Sequence, residues 1–277
     1  MLIGYSQPAI SGAVGITGAT WLTADGGAAL FDNRPSRKAR LQWGAGTPSI
    51  GQYVDISATF ATATPLRVLA LLGTTLPVGC RVDFLGAGGD GLGGTCDEAR
   101  TARMPDGTVG VWAVAREDDP PETGAIIRIY NDCNGETWAS AGTVVDLGEA
   151  VTMPGVSVPN EPGWELGVPG VLADRQRTRS AALNTVAAGY YNTMRFASQA
   201  AYVNHVRHAG LANGMDWLSL RRAMQNDQRI AVVPRFNTAL EVNSTALYGV
   251  AQSVGSVAHL GGDYYQWVWD FEEVPSR

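Results

Sequence analysis

The chain has 277 residues, a hydrophobic share of 45% and a formal net charge of -6 at pH 7. This length gives room for one large β domain or two ordinary domains. The acidic balance argues against nucleic acid as the main partner, because phosphate binding needs clustered positive charge. Glycine occurs 34 times and proline 14 times, which predicts many tight turns and few long helices.

The sequence also indicates the cellular setting. No apolar run reaches the roughly 18 residues that a membrane helix needs, and the N-terminus lacks the basic and apolar segments of a signal peptide. Cys80, Cys96 and Cys133 are odd in number and widely spaced, so they imply no disulfide framework. We therefore expect a soluble protein with reduced, buried thiols, assembled in a cytosol and not inserted in a membrane.

The first half of the chain predicts an N-terminal arm followed by a β-sandwich. Residues 1–27 are small and polar with scattered apolar side chains, as in an arm that orders against the body or a neighbouring subunit. From 28 to 150, short apolar runs alternate with turn clusters, which is typical of a sandwich or jelly roll. Val68 to Leu72 is apolar throughout, as expected for a strand buried on both faces. Asn134 and Gly135 favour a tight hairpin turn. The predicted strands are 51–58, 66–72, 80–85, 110–115, 125–130 and 143–147.

The second half predicts a different organisation. Residues 151–172 are rich in proline and glycine, which predicts a linker between domains. Residues 173–277 predict an α+β domain with a β-sheet and one or two helices, so the whole chain is expected to be mainly β. Ser198 is the expected N-cap of a helix through His208, and 215–224 predicts a second, short helix with arginines near its end. The predicted strands are 190–197, 229–234, 246–254 and 264–271.

Two motifs raise the question of a cofactor or a metal. Residues 86–91 read G-x-G-x-x-G after a predicted strand, but a dinucleotide site needs a helix to begin at once, and no helical stripe follows. We interpret this segment as a hairpin loop. His205 and His208, with His259 downstream, have a spacing at which imidazoles can hold zinc. No further ligand stands at suitable spacing, which favours histidines that face solvent or a subunit. The sequence predicts no cofactor and no metal site.

Neighbouring carboxylates are the remaining candidates for catalysis. Asp97–Glu98, Asp118–Asp119 and Glu272–Glu273 are adjacent in sequence, whereas two cooperating acids converge across a cleft. We interpret them as solvated turn charges. The chain has no G-x-S-x-G elbow and no cysteine beside a histidine. The sequence therefore predicts no catalytic residue and a protein that is not an enzyme.

Aromatic and arginine side chains are the candidates for binding. Tyr265, Trp267, Trp269 and Phe271 alternate along the last predicted strand, which places them on one face. That face either packs into the core against the helix of Tyr202 or forms a subunit interface. Lys38 is the only lysine, and the remaining cations are arginines, which suit bidentate pairing between subunits. The candidate interface residues are Arg34, Arg37, Arg40, Tyr265, Trp267 and Trp269.

Five segments spread over most of the chain carry a resemblance to a known family. Residues 31–37 (FDNRPSR) and 65–73 (PLRVLALLG) are similar to the start of discoidin-like, galactose-binding-like jelly rolls in tail proteins of long-tailed bacteriophages. Residues 230–234 (IAVVP), 247–250 (LYGV) and 267–274 (WVWDFEEV) resemble the C-terminal domain of that family. The resemblance implies a virion structural component at the tail tip or baseplate, assembled in the host cytoplasm. Its implied partners are copies of itself and other tail proteins, with no catalytic residues.

A second class of function stays open beside this one. Discoidin-like sandwiches bind ligands at their loop end, so the chain is alternatively a carbohydrate-binding module that recognises glycan on a host cell surface. Aromatic rings stack on sugar rings. The tryptophans that this alternative singles out are Trp21, Trp43, Trp112 and Trp138.

Overall fold

The computed structural model describes eleven segments of the chain, namely residues 1–44, 46–104, 106–158, 160–167, 173–177, 183–187, 192–198, 201–202, 217–224, 229–261 and 264–274. These residues form several antiparallel sheets, one 3-10 turn and two α-helices. The predicted mainly-β class is therefore confirmed.

The described residues of the first half form thirteen strands and the 3-10 turn at Ala28–Phe31. The strands are β1 (Leu2–Gly4), β2 (Gly15–Thr17), β3 (Ala19–Trp21), β4 (Ala39–Trp43), β5 (Tyr53–Thr64), β6 (Val68–Thr74), β7 (Cys80–Gly86), β8 (Ala99–Arg100), β9 (Ala102–Arg103), β10 (Val109–Val114), β11 (Glu122–Cys133), β12 (Val144–Leu147) and β13 (Glu149–Met153).

The second half supplies nine strands and two helices among the described residues. The strands are β14 (Gly155–Ser157), β15 (Asn160–Gly167), β16 (Ala173–Arg177), β17 (Leu183–Ala187), β18 (Thr193–Ser198), β19 (Ala201–Tyr202), β20 (Ile230–Val233), β21 (Leu247–Gly261) and β22 (Tyr264–Glu273). The helices are α1 (Trp217–Met224) and α2 (Ala239–Thr245). Helix α1 confirms the short helix predicted over 215–224 within its described residues, with both arginines in its last turn.

Two layers of strands form a β-sandwich, as predicted. The outer layer is a five-stranded sheet in the order β2-β5-β11-β7-β8. The facing layer contains the sheets β13-β6-β10-β9 and β12-β4-β3. These two sheets adjoin where the Thr75 N–H donates to the carbonyl oxygen of Asp146 at 3.0 Å. Side chains such as Val54, Ile127 and Leu41 are buried between the layers.

Strand β6 is buried on both of its faces, as its uniform apolar sequence predicts. Leu69 and Leu71 lie in the sandwich core, whereas Val68, Ala70 and Leu72 lie in a second core on the opposite side. Side chains alternate between the two faces of a strand, so this division follows directly from the backbone. The sheet that contains β6 is therefore a middle layer shared by two cores.

An eight-stranded sheet covers the far side of this middle layer. Its order is β14-β1-β20-β21-β22-β18-β15, with β19 also paired to β22. Leu2, Ala231 and Val233 face the middle layer in the second core. The opposite face forms a third core, in which Leu220 and Met224 of α1 are buried. The order of layers is therefore sheet, sheet, sheet and helix.

The N-terminal arm orders against the body at residues 2–4, where β1 is buried between β14 and β20. The linker expected over 151–172, in contrast, is wrong where the structure describes it. Residues 151–167 are not a linker, because most of β13 and all of β14 and β15 lie there, while 168–172 fall outside the described residues. Pro162 lies in β15, an edge strand with an irregular register, where the missing proline N–H costs no ladder bond.

The helix expected from Ser198 onwards is also wrong where the structure describes it. Ser198 ends β18, and β19 pairs with β22 through Ala201 with Tyr265 and Tyr202 with Tyr264. A long-range strand pairing thus overrides the local helical spacing. Residues 203–208 of that helix lie outside the described residues.

A side chain of α2 completes the hydrogen bonding of the middle layer. Strand β9 pairs with β10 only as far as Gly110, so the next N–H on that edge, of Trp112, has no strand partner. This N–H donates to Asn243 Oδ1 at 2.7 Å, and Asn243 Nδ2 donates to the Arg100 carbonyl oxygen at 3.3 Å. Trp112 and Asn243 are both buried, so water cannot readily replace the bond between them.

We expect Asn243→Leu to lower the free energy of unfolding by about 1–3 kcal/mol, because it leaves the Trp112 N–H buried without an acceptor. Urea unfolding of the full chain measures the change. Ser244→Ala is the matched control, since Ser244 lies on the same helix and is exposed. An equal loss in both variants would contradict this role of Asn243.

Candidate functional site: an exposed face of tyrosine and arginine

The outer face of the five-stranded sheet carries an ordered set of aromatic and charged side chains. We call this set the tyrosine–arginine face, and it consists of Tyr53, Asp55, Arg81, Asp83, Arg128 and Tyr130. The register of β5, β11 and β7 places Tyr53 opposite Tyr130, and Arg128 between Asp55 and Asp83. Side chains at alternate positions of a strand share one face, so these residues come together on the solvent side.

Each arginine of this face is held by a carboxylate. Arg128 Nε lies 2.7 Å from Asp55 Oδ1, and its Nη2 lies 2.8 Å from Asp55 Oδ2. Arg81 Nε and Nη2 lie 3.1 and 2.9 Å from the two oxygens of Asp83. Such paired bonds fix the plane of a guanidinium group. The hydrogen bonds to Asp55 and to Asp83 raise the pKa of Arg128 and of Arg81, respectively, so both stay charged.

The two guanidinium groups also stack on tyrosine rings. The central guanidinium carbon of Arg128 lies 4.1 Å from the ring centre of Tyr53, and that of Arg81 lies 4.3 Å from Tyr130. The two ring centres are 5.7 Å apart. These distances are within the range of cation–π and aromatic contacts. Contacts within the protein therefore fix the orientations of the side chains on this face.

Apolar side chains adjoin the face at one end of the sheet. Tyr53 is 41% exposed, and Ile50 and Val78, which precede β5 and β7, are 52% and 50% exposed. Exposed apolar and aromatic side chains beside arginine are the usual composition of protein-binding surfaces. The surface offers anchors for a partner.

The arginines predicted as interface residues lie elsewhere. Arg34, Arg37 and Arg40 are exposed. Arg37 pairs with Asp25 and, at 3.0 Å, with Asp32. Arg40 forms a bidentate pair with Asp146 at 2.6 and 2.9 Å, and these bonds raise its pKa. The three arginines remain candidates for subunit contacts, although Arg37 and Arg40 already form ion pairs with carboxylates of the same chain.

The predicted aromatic face of the last strand lies in the core where its side chains are described. Trp269 and Phe271 are fully buried. Phe196 of β18 packs on both, with ring centres 4.7 Å from Trp269 and 5.4 Å from Phe271. The core interpretation therefore holds for these two residues. The side chains of Tyr265 and Trp267 fall outside the described part of the structure.

The four tryptophans considered for glycan binding are buried or half-buried in the protein. Trp43 and Trp112 are buried. Trp21 and Trp138 are half-buried, and their indole N–H groups donate to the carbonyl oxygens of Val14 and Tyr130 at 3.2 and 2.9 Å. None of these four rings is an exposed platform on which a sugar could stack.

The two predicted turns, at 86–91 and at Asn134–Gly135, are confirmed, whereas the prediction for Glu272 and Glu273 is wrong. Residues 86–91 form the expected loop, with a bridge between Leu85 and Gly91. Asn134 and Gly135 both have positive φ and close the predicted hairpin. Glu272 and Glu273 are not turn charges, because they lie in β22, where Glu273 accepts a hydrogen bond from the Asn192 N–H at 2.9 Å.

One of the three histidines, His259, lies among the described residues. His205 and His208 lie outside the described residues, and His259 is exposed on β21. In the part of the chain that the structure describes, no group of three or more His, Cys, Asp or Glu side chains is placed to hold a metal ion. None of the helices described above is long and apolar enough to cross a membrane.

Sequence reasoning did not predict the buried carboxyl group of Glu149. This residue begins β13 and is fully buried, and neither of its carboxyl oxygens accepts a hydrogen bond of normal geometry. Burial, with a smaller contribution from Asp32, raises the pKa of Glu149 to about 9, although the nearby backbone N–H groups of Asn33 and Arg34 and the charge of Arg229 oppose the shift. The neighbouring Tyr248 hydroxyl donates to Asn33 Oδ1 at 3.0 Å. Glu149 is therefore uncharged at neutral pH.

Comparison with known proteins does not assign the chain. No protein-family model matches it, and neither a curated protein nor a solved structure does so.

We expect Glu149→Gln to stabilise the protein at neutral and alkaline pH. The folded carboxyl keeps its proton up to about pH 9, whereas the unfolded one releases it near pH 4.5. Its contribution to stability is thus complete below about pH 4.5 and falls as the pH rises to about 9. Glutamine has no carboxyl group to ionise, so the variant does not lose these few kcal/mol of folding stability as the pH rises.

Urea unfolding at pH 5 and pH 9 measures the effect. Glu136→Gln is the control, because Glu136 is exposed. If the gain in stability from Glu149→Gln did not grow between the two pH values, the buried carboxyl would not be neutral.

Proposed function

We propose that the protein is a non-enzymatic structural component of a bacteriophage virion. Its place would be at the tail tip or baseplate, where copies of it join the tail tube to the hub or to receptor-binding fibres. The class of protein comes from the resemblance of residues 31–37, 65–73, 230–234 and 267–274 to phage tail proteins. The observation that carries the proposal is the tyrosine–arginine face.

The chemistry of this face suits a permanent contact between proteins. Tyrosine and arginine are the residues most often found to anchor protein interfaces. Here, their rotamers are already fixed by Asp55, Asp83 and ring stacking. Because these side chains are already ordered, they lose little conformational entropy when a partner docks on them, and this favours tight association. The face also carries charges of both signs, so it can meet a copy of itself around a two-fold axis.

The layered fold supports the same proposal. Apolar cores lie on both sides of the middle layer, so the outer sheet that bears the tyrosine–arginine face is backed by two further layers. This construction gives the face a rigid support.

We expect the purified chain to self-associate and Tyr53→Glu to weaken that association at least tenfold. The substitution places a charge at the exposed ring and removes its stacking on Arg128. Size-exclusion chromatography with light scattering measures the mass over a range of concentrations. Thr59→Glu is the matched control, because Thr59 is exposed on the same face of the same strand.

A wild-type chain that stays monomeric at high concentration would contradict the role of the face in contacts between copies. The location is tested separately, with antibodies against the chain and electron microscopy of particles from the phage that encodes it. Label at the tip of the tail is expected. Particles without label would contradict the virion assignment.

A pocket on the sandwich favours a second candidate function, the recognition of host cell-surface glycan. A cavity of about 480 Å³ lies between residues 7–14 and the 3-10 turn, and Gln7, Phe31 and Asn33 line it. This volume is typical of small-molecule sites. Gln7 is held in place by hydrogen bonds to the Ala150 carbonyl oxygen at 2.7 Å and the Thr152 N–H at 3.1 Å. An aromatic ring beside amide groups is a suitable lining for a sugar.

If glycan binding is the function, the purified chain will bind defined sugars on a glycan array, and Phe31→Ala will lower the signal at least tenfold. Trp21→Phe is the control, since its ring contacts the core at the edge of the same region. An array without any response would leave only the assembly role.

A further inference from the structure

Two of the three cysteines stand directly opposite each other in the outer sheet. Cys80 begins β7 and Cys133 ends β11, and the register of these antiparallel strands pairs the two residues. Residues opposite each other in a sheet have their side chains on the same face. Both thiols contact the sandwich core, and both are free.

The backbone around this pair brings the side chains unusually close. The Cys80 N–H donates to Thr101 Oγ1 at 2.9 Å, and its carbonyl oxygen accepts from the Thr101 N–H at 2.9 Å. The Cys133 N–H and carbonyl oxygen bond to Glu136 in the same way, at 2.8 and 3.2 Å. The two cysteines therefore exchange no backbone hydrogen bond with each other. Such non-hydrogen-bonded pairs have Cα atoms about 4.5 Å apart, within the range of about 4.4–6.8 Å that disulfides span.

The two thiols differ in their access to solvent. Cys80 is fully buried, and both burial and the neighbouring Cys133 raise its pKa. Cys133 is half-buried, and its thiol donates to the Val78 carbonyl oxygen at 3.2 Å. A soluble oxidant can thus reach Cys133 first, and Cys80 then lies at hand to complete the reaction.

We propose that Cys80 and Cys133 are a redox pair that closes into a cross-strand disulfide when the protein meets a small-molecule disulfide. The Cys133 thiolate attacks one sulfur of the oxidant, and the sulfur–sulfur bond breaks to release one thiolate. The Cys80 thiolate then attacks the Cys133 sulfur of this mixed disulfide and expels the second thiolate. The protein loses two protons and two electrons, and the oxidant becomes two thiols.

The disulfide would fasten the end of the sheet that carries the exposed apolar side chains. Val78 precedes β7, and the hairpin of Asn134 and Gly135 follows β11. A bond between the two strands joins both turns and closes a long loop of the chain, which restricts the unfolded state. This inference does not depend on the proposed function, because it rests only on the pairing of the two cysteines.

The test uses the full chain, reduced and then incubated with oxidised glutathione at pH 8. We expect the loss of two alkylatable thiols, a cross-linked peptide that joins Cys80 to Cys133 on non-reducing digestion, and a rise in Tm of roughly 5 °C or more. Cys96 serves as the internal control, because it is fully buried and lies outside the strand pairing of the sheet. Cys96→Ser should keep the cross-link, and Cys133→Ser should abolish it.

Two outcomes would overturn the proposal. One is a stable mixed disulfide of glutathione with Cys133 while Cys80 can still be alkylated after unfolding. The other is the survival of all three thiols in the wild-type chain after incubation. Both are read from the wild-type protein, so the result does not depend on the folding of a variant.

Discussion

Side chains alternate along β6 between two apolar cores, so the exclusion of water from each face of this strand requires a separate covering layer. The five-stranded sheet covers Leu69 and Leu71, and the eight-stranded sheet covers Val68, Ala70 and Leu72. Each of these valine and leucine side chains contributes about 1.5–3 kcal/mol when it is fully buried. The two halves of the chain therefore share one set of buried residues, and a cut between them would expose a complete apolar face.

The same constraint explains the polar groups that the middle layer contains. Asn243 is tolerated because it accepts from the Trp112 N–H, which no strand reaches. Glu149 begins β13 on the opposite edge of that sheet, accepts no hydrogen bond of normal geometry, and has a raised pKa that favours the protonated form. Buried polar groups are either bonded or neutral, and this protein uses both solutions within one layer. On the solvent-facing side of the outer sheet, charged side chains can pair with one another, as Arg128 does with Asp55.

Local patterns in the sequence are sufficient for many elements. The uniform apolar run of β6, the Asn-Gly turn after β11 and the arginine-terminated helix α1 all follow from the residues themselves. The positions that sequence reasoning missed depend on distant partners. Strand β1 is held by β14 and β20, and β19 is held by β22. Proline and glycine between 151 and 167 resemble a linker until the edge position of the strands is known.

The candidate site likewise depends on residues that are distant in sequence. Tyr53, Arg81, Arg128 and Tyr130 come from three strands, and no motif connects them before the register of the sheet is known. Glu149 stands beside an apolar run, but only the layer on its other side shows that it is buried. The apolar alternation of Trp269 and Phe271 was visible in the sequence, and its burial became clear from Phe196.

The position of β1 bears on how the protein is made. Leu2 pairs with Val233, so this strand leaves the ribosome long before its neighbour β20 exists. Until then, its backbone N–H and C=O groups have no strand to bond on that side, and the apolar cover of the middle layer is incomplete. Closure of the eight-stranded sheet therefore waits until β20 has been synthesised, and contacts of such long sequence separation make folding slow. In a dense cytosol, this interval is when the nascent chain would depend most on chaperones.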